Sequence, residues 1–145
     1  MWFIYALSAA VIWGISYAAS GRAIARGVPP LVFFTLYAGV ALAMGLAALL
    51  VTGRIGTLSR IGQTIGDDLG WLILAVITSG LGALLIYLAI GEKNATVASL
   101  IEISYPLFVA FFAWLFFQEI QFNRLTVAGA ALILSGVALV YLANR

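Results

Sequence analysis

The stretch SLIEISYPL, at residues 99–107, places one carboxyl group and one proline inside a long apolar segment. Glu102 is the only charged residue between Ala95 and Phe117. An ionisable side chain within a membrane span costs at least about 2.5–3.5 kcal/mol, so it usually faces the interior of a helix bundle or a watery cavity. Pro106 lies four residues later and has no N–H to donate to the carbonyl of Glu102. One position therefore offers a carboxylate and a freed backbone oxygen, which could bind a cation, an ammonium group or a proton.

Hydroxyl and aromatic side chains accompany this acid at helical spacing. Ser99 and Tyr105 stand at i−3 and i+3 from Glu102, on one side of a helix. The first apolar segment has a second face of aromatic and hydroxyl side chains at i, i+3, i+4 and i+7, formed by Trp13, Ser16, Tyr17 and Ser20. A lining of this kind with one acid favours an amphipathic organic substrate, including a cationic one. We predict that the substrate or proton site comprises Glu102, Ser99, Tyr105, Pro106, Trp13, Ser16 and Tyr17.

Simpler interpretations of the same residues stay open. Glu102 could reach toward the membrane surface or make one structural hydrogen bond, and Pro106 could do no more than kink a helix. Aromatic side chains also collect at the membrane–water interface. For Tyr37 and Tyr87 this interface position is the favoured interpretation.

The composition of the chain indicates a membrane protein. Of its 145 residues, 65% are hydrophobic and 8% are charged, whereas about a quarter of residues are charged in an ordinary soluble domain. The absence of cysteine and histidine excludes disulfides, thiolate metal sites and histidine-based catalysis. We therefore predict no catalytic residues, no cofactor and no metal, and an enzyme is the least favoured class of function. No run of Lys or Arg indicates a nucleic-acid partner.

Five segments are long and apolar enough to cross a bilayer. They predict an all-α integral membrane protein, with residues 1–145 forming one transmembrane domain, because backbone groups in hydrocarbon must be satisfied within each segment. The N-terminal segment is interpreted as a retained span rather than a signal peptide. Asn94 and Asn123 are expected to cap the helices that follow them. The loop 52–68 either lies on the membrane surface or is an ordinary wet loop. The predicted spans are residues 2–20, 31–51, 69–90, 95–117 and 125–143.

The positions of the basic residues and of small residues bear on the membrane orientation of the chain and on whether two copies associate. Five spans would leave Arg54, Arg60 and Arg124 on one side, and Arg22, Arg26, Lys93 and Arg145 on the other. The positive-inside rule acts through a Lys/Arg excess, which is almost nil here. Either a weak bias orients the chain, or it inserts both ways and forms an antiparallel homodimer, an inverted repeat built from two copies. Small residues in the fifth span, Gly129 and Gly136, are the predicted dimer contact.

The C-terminal half, NATVASLIEISYPLFVAFFAWLFFQEIQFNRLTVAGAALILSGVALVYL, resembles the EamA-type repeat of the drug/metabolite transporter superfamily. The matching features are Pro106 before an apolar aromatic helix, Glu119 at the end of that helix, and GAALILSGVAL at residues 129–139. The N-terminal half fits more loosely, through IWGISY and RGVPPL. The resemblance implies that the five helices are one inverted-repeat unit of a ten-helix transporter, with a central cavity lined by the first four helices. It also implies a topology, gating or interfacial role for Glu119.

These observations together predict a multi-pass secondary transporter in the inner (plasma) membrane of a prokaryote. It would export or exchange small organic metabolites by alternating access as an antiparallel, dual-topology homodimer in the lipid bilayer. One alternative is a proton-coupled multidrug exporter of the small multidrug resistance type, although that family carries its working glutamate in the first span and this chain has none there. Another is a structural membrane subunit without transport activity.

Overall fold

The computed structural model describes residues 1–120 and 123–145, and five stretches of helix in it are long and apolar enough to cross a membrane. The described residues contain no strand, so the predicted all-α, five-span fold class is confirmed. Most large apolar side chains point away from other protein atoms, as expected where hydrocarbon is the solvent. In chain order the helices are α1 (Trp2–Ala25), α2 (Pro30–Val51), α3 (Ile61–Ile65), α4 (Leu69–Glu92), α5 (Ala95–Glu102), α6 (Tyr105–Phe117) and α7 (Arg124–Asn144).

Helix α1 extends five residues beyond the predicted end of the first span. Gly27 ends it in a left-handed conformation with φ of 100°, and the N–H of Val28 donates to the carbonyl of Ala23 at 3.2 Å. A glycine that closes a helix in this way satisfies carbonyls that would otherwise lack donors. Arg22 in the last turn also suits the negative end of the helix dipole, so this arginine belongs to the helix, whereas Arg26 lies in the turn that follows.

Both predicted N-caps are confirmed. The Asn94 side chain accepts a hydrogen bond from the N–H of Val97 at 2.9 Å, and the Asn123 side chain accepts one from the N–H of Thr126 at 2.9 Å. Each bond satisfies one of the backbone donors left open at a helix start. The caps fix where α5 and α7 begin.

The fourth span consists of two helices rather than one kinked helix. Helix α5 ends at Glu102, Ile103 and Ser104 form a turn, and α6 begins at Tyr105. Pro106 stands in the first turn of α6, where a missing N–H is tolerated. The proline therefore marks the start of a new helix, and Glu102 is the last residue of the preceding one.

The chain divides into two compact units, Met1–Gly21 with Glu92–Arg145, and Arg22–Gly91. In the first unit α5 packs against α7, and the Lys93 ammonium donates to the carbonyl of Asn144 at 2.8 Å. This bond supplies a donor to the carboxyl end of α7.

The second unit has an aromatic centre. Tyr87 is fully buried, and its ring lies 4.8 Å from that of Phe33 and 5.7 Å from that of Tyr37. The interface-belt interpretation of Tyr87 is wrong, because a side chain in that belt keeps its polar end in water. Nearby, a Cβ atom on Gly91 would lie 2.7 Å from Pro30, so this glycine permits close contact at the start of α2.

Candidate functional site

A hydrogen bond joins the first and fourth spans. The Tyr17 hydroxyl donates to the Glu102 carboxylate oxygen Oε2 at 2.7 Å, across 85 positions of sequence. Both side chains are half-buried, and both belong to the same compact unit. Hydrogen bonds to a charged acceptor are shorter and stronger than those between neutral groups. The acid of the fourth span therefore has a specific partner rather than pointing into empty space.

Two residues of α1 contact Tyr17, one at its ring and one at its backbone carbonyl. The Trp13 ring lies 5.4 Å from the Tyr17 ring at an interplanar angle of 41°. Ser20 is fully buried, and its hydroxyl donates to the backbone carbonyl of Tyr17 at 3.0 Å. Ser16, the residue directly before Tyr17, is half-buried. Of the predicted aromatic and hydroxyl face of α1, Tyr17 contacts the acid, and Trp13 contacts Tyr17; a role for Ser16 in binding stays a prediction.

Helix α5 approaches α1 closely one turn beyond Tyr17. A Cβ atom built on Gly21 would lie 2.8 Å from the Cβ of Ala95, a distance that real Cβ atoms essentially never show. Ala98, one turn further along α5, is buried. Small residues let helix backbones approach in a membrane, where no hydrophobic force drives helices together. This close contact and the Tyr17–Glu102 hydrogen bond both join α1 to α5.

The arrangement leaves capacity for a ligand at Glu102. An ionised carboxylate has about four acceptor positions, and the Tyr17 hydroxyl occupies one of them. The backbone carbonyl of Glu102 receives no helical hydrogen bond from residue 106, because that residue is proline. These remaining oxygens can accept a proton, or hydrogen bonds from a cation that bears several N–H donors.

Three other predicted residues lie in different surroundings. The Ser99 hydroxyl donates to the carbonyl of Thr96 at 3.1 Å. Tyr105 and Pro106 line a groove of about 540 Å³ with residues of α7, including Gly129. The i+3 relation that predicted a shared face for Tyr105 and Glu102 does not apply, because the helical register of α5 ends at Glu102.

Within the described part of the chain, no other residue fills the space beside the two glycines of the predicted dimer contact. A Cβ atom on Gly129 or on Gly136 would have nothing within 4 Å. Their role as a contact between copies stays a prediction. Glu119 is exposed just after α6, and its N–H donates to the carbonyl of Ala113 at 3.3 Å.

Ser20 was predicted as the i+7 member of the polar face of α1 but not as a binding residue, and its hydroxyl bonds within α1 to the carbonyl of Tyr17. Gly21 was not predicted at all. Gly21 carried no such signal, since a glycine in a helix with many small residues does not reveal which neighbour it touches. Within residues 1–120 and 123–145, no three potential ligands among Asp, Glu, His and Cys cluster as a metal site would require.

A model of the EamA-like transporter family matches residues 1–142, almost the whole chain. The chain belongs to this family. The resemblance read from the fourth and fifth spans is therefore confirmed, and the protein is a multi-pass membrane protein of an EamA-like transporter family. Comparison with curated proteins and with solved structures gave no significant match.

Proposed function

We propose that this EamA-like protein is a secondary transporter that exports or exchanges small organic metabolites by alternating access in the inner (plasma) membrane of a prokaryote. Glu102 is the group that binds the proton or the cationic part of the substrate. The observation that carries this proposal is the 2.7 Å hydrogen bond between Tyr17 and Glu102. It ties an acid in one span to a hydroxyl in another, so a ligand that competes for the acid also acts on the contact between two helices.

The chemistry around Glu102 favours a cationic or zwitterionic substrate. A carboxylate attracts an ammonium group, and the neighbouring Trp13 ring, which is 40% exposed, can bind a cation over its face. A substrate ammonium group can replace the Tyr17 hydroxyl as donor to the carboxylate. Loss of that interhelical bond on loading would then favour a different arrangement of α1 and α5, as alternating access requires.

The working assembly in this proposal is an antiparallel homodimer. Near balance of basic residues on the two sides supports insertion in both orientations. Glu102 lies about 7 Å from the middle of its span at 1.5 Å per residue, so two antiparallel copies would place their carboxylates about 14 Å apart along the membrane normal. That separation gives two sites, not one shared pair of acids.

The test is solute flux in proteoliposomes that contain only this protein and lipid. A panel of cationic, zwitterionic and anionic metabolites is offered under an imposed pH gradient. We expect uptake of cationic or zwitterionic solutes, and loss of at least 90% of it in Glu102→Gln, which keeps the size of the side chain and removes its charge.

Glu92→Gln is the matched control, because Glu92 is an exposed acid at the end of α4. Its flux should equal that of the unaltered protein. Absence of flux for every solute, in the unaltered protein and in both variants, would favour a structural subunit. Full flux in Glu102→Gln would remove Glu102 from the mechanism.

A further inference from the structure

The segment between α2 and α4, residues 52–68, is held at one membrane surface by the helices on either side of it. Helices α2 and α4 contain 22 and 24 residues. At 1.5 Å per residue these helices are about 33 and 36 Å long, enough to cross a hydrocarbon core of about 30 Å and little more. The segment that links them therefore lies at the level of the lipid headgroups.

One side of this segment is a row of uncovered apolar side chains. Residues Ile55–Arg60 form a 3₁₀ helix that continues into α3. Because a 3₁₀ helix has three residues per turn, side chains three positions apart project from the same side. Ile55, Leu58 and Ile61 follow this spacing and are 40%, 48% and 36% exposed.

Next to the apolar row is a polar cavity of about 380 Å³. The hydroxyls of Ser59 and Thr64 donate to backbone carbonyls of the segment itself, at 2.9 and 3.2 Å. The Arg60 guanidinium remains available at the cavity, and neither it nor Arg54 forms an ion pair with another residue in the described part of the chain. The residues that line the cavity are Gly53, Gly56, Thr57, Ser59, Arg60 and Thr64.

We propose that residues 52–68 bind the phosphate group of an anionic membrane lipid. The Arg60 guanidinium and the Thr57 hydroxyl donate to the phosphate oxygens, an interaction for which the planar guanidinium is well suited. Ile55, Leu58 and Ile61 enter the boundary between headgroups and acyl chains. The apolar row and the depth of the segment favour a lipid over soluble phosphate, which would need neither. This proposal does not depend on which solute the protein transports.

The absence of cysteine from the sequence makes a local fluorescent reporter straightforward. Gln63→Cys places it on α3, at an exposed residue that does not line the cavity. The full-length labelled protein is reconstituted into mixed phosphatidylcholine and phosphatidylglycerol vesicles. Quenching is compared between a phosphatidylglycerol and a phosphatidylcholine that each carry a nitroxide at the top of the acyl chain, at equal mole fraction.

We expect phosphatidylglycerol to be enriched at the reporter, and Arg60→Gln to lower that enrichment about fivefold, the change that corresponds to about 1 kcal/mol for one basic residue at an anionic surface. Arg60→Lys should keep most of the preference. Arg54→Gln removes an exposed arginine of the same segment that does not line the cavity, and it should change the preference little. Variants are compared at equal helical content by circular dichroism.

Several outcomes would overturn the proposal. Equal quenching by the two lipids would show no recognition of an anionic headgroup. An equal loss in Arg54→Gln and Arg60→Gln would assign the preference to net charge. Abolition of the preference by millimolar inorganic phosphate would reassign the cavity to a soluble ligand, and strong quenching by aqueous iodide with none by lipid would place the segment in water.

Discussion

At the scale of single residues, the pairing of Tyr17 with Glu102 resolves a problem that the sequence raises without answering. The sequence shows one acid in a span and no opposite charge to balance it, whereas the structure supplies a hydroxyl donor at 2.7 Å. Hydrogen bonds between helices in membranes contribute about 0.6 kcal/mol on average and about 1.7 kcal/mol at most. Tyr17 therefore matters more for where the carboxylate points than for how stable the bundle is.

A double-mutant cycle with Tyr17→Phe and Glu102→Ala measures this bond. We expect a coupling energy of about 0.6 kcal/mol, and no more than about 1.7 kcal/mol, in the free energy of unfolding in mixed micelles. Tyr141→Phe, at a tyrosine of α7 that is 60% exposed, serves as the control and should show no coupling to Glu102→Ala. Strict additivity of Tyr17→Phe and Glu102→Ala would mean that the two side chains do not interact in solution.

At the scale of helices, α1 and α5 approach each other closely at a glycine. Gly21→Ala should lower the free energy of unfolding by about 1–3 kcal/mol, the usual cost of overpacking, because its Cβ would lie 2.8 Å from that of Ala95. Gly14→Ala, on the same helix with nothing within 4 Å of the new Cβ, should cost nothing.

Ala95→Gly in the Gly21→Ala background supplies the decisive comparison. This exchange moves the methyl group from one helix to the other and should recover most of the lost stability. If the double variant is no more stable than Gly21→Ala, the two positions are not in contact.

The break between α5 and α6 provides another prediction at this scale. Pro106→Ala introduces an N–H that can donate to the carbonyl of Glu102 and join the two helices. We expect hydrogen exchange at the new amide of residue 106 to be as slow as at amides inside a helix. We also expect a several-fold loss of solute flux, without loss of stability. Pro29→Ala, just before α2, should leave flux unchanged. Unaltered flux in Pro106→Ala would show that the break has no part in transport.

Much of the helical organisation could be predicted from the sequence, because hydrophobic length and Asn caps act locally. The number of spans and the starts of α5 and α7 follow from such local signals. The division at Ile103–Ser104 could not be predicted, since a proline is compatible with either a kink or a new helix. The burial of Tyr87 also depends on packing with Phe33 and Tyr37, which is a long-range contact without a sequence signal.

At the scale of the whole molecule, the predicted antiparallel dimer requires both orientations in one membrane. Reporters fused to the C-terminus should detect it on both sides in comparable amounts. Glu92→Lys raises the basic residues on that side from four to five against three, so it should hold that side in the cytoplasm. Flux should fall in this variant and return when an oppositely biased copy is supplied. A single orientation of the unaltered protein would exclude the antiparallel homodimer.

Carbodiimide modification of Glu102 in sealed proteoliposomes tests most directly whether this carboxyl binds cargo or a proton. The modified residue is identified by mass spectrometry of the intact and digested protein. We expect Glu102 to react, and each transported solute to protect it in proportion to its occupancy, while the exposed Glu92 reacts equally with and without solute. Modification of Glu102 that no transported solute alters would contradict a role for this residue in binding.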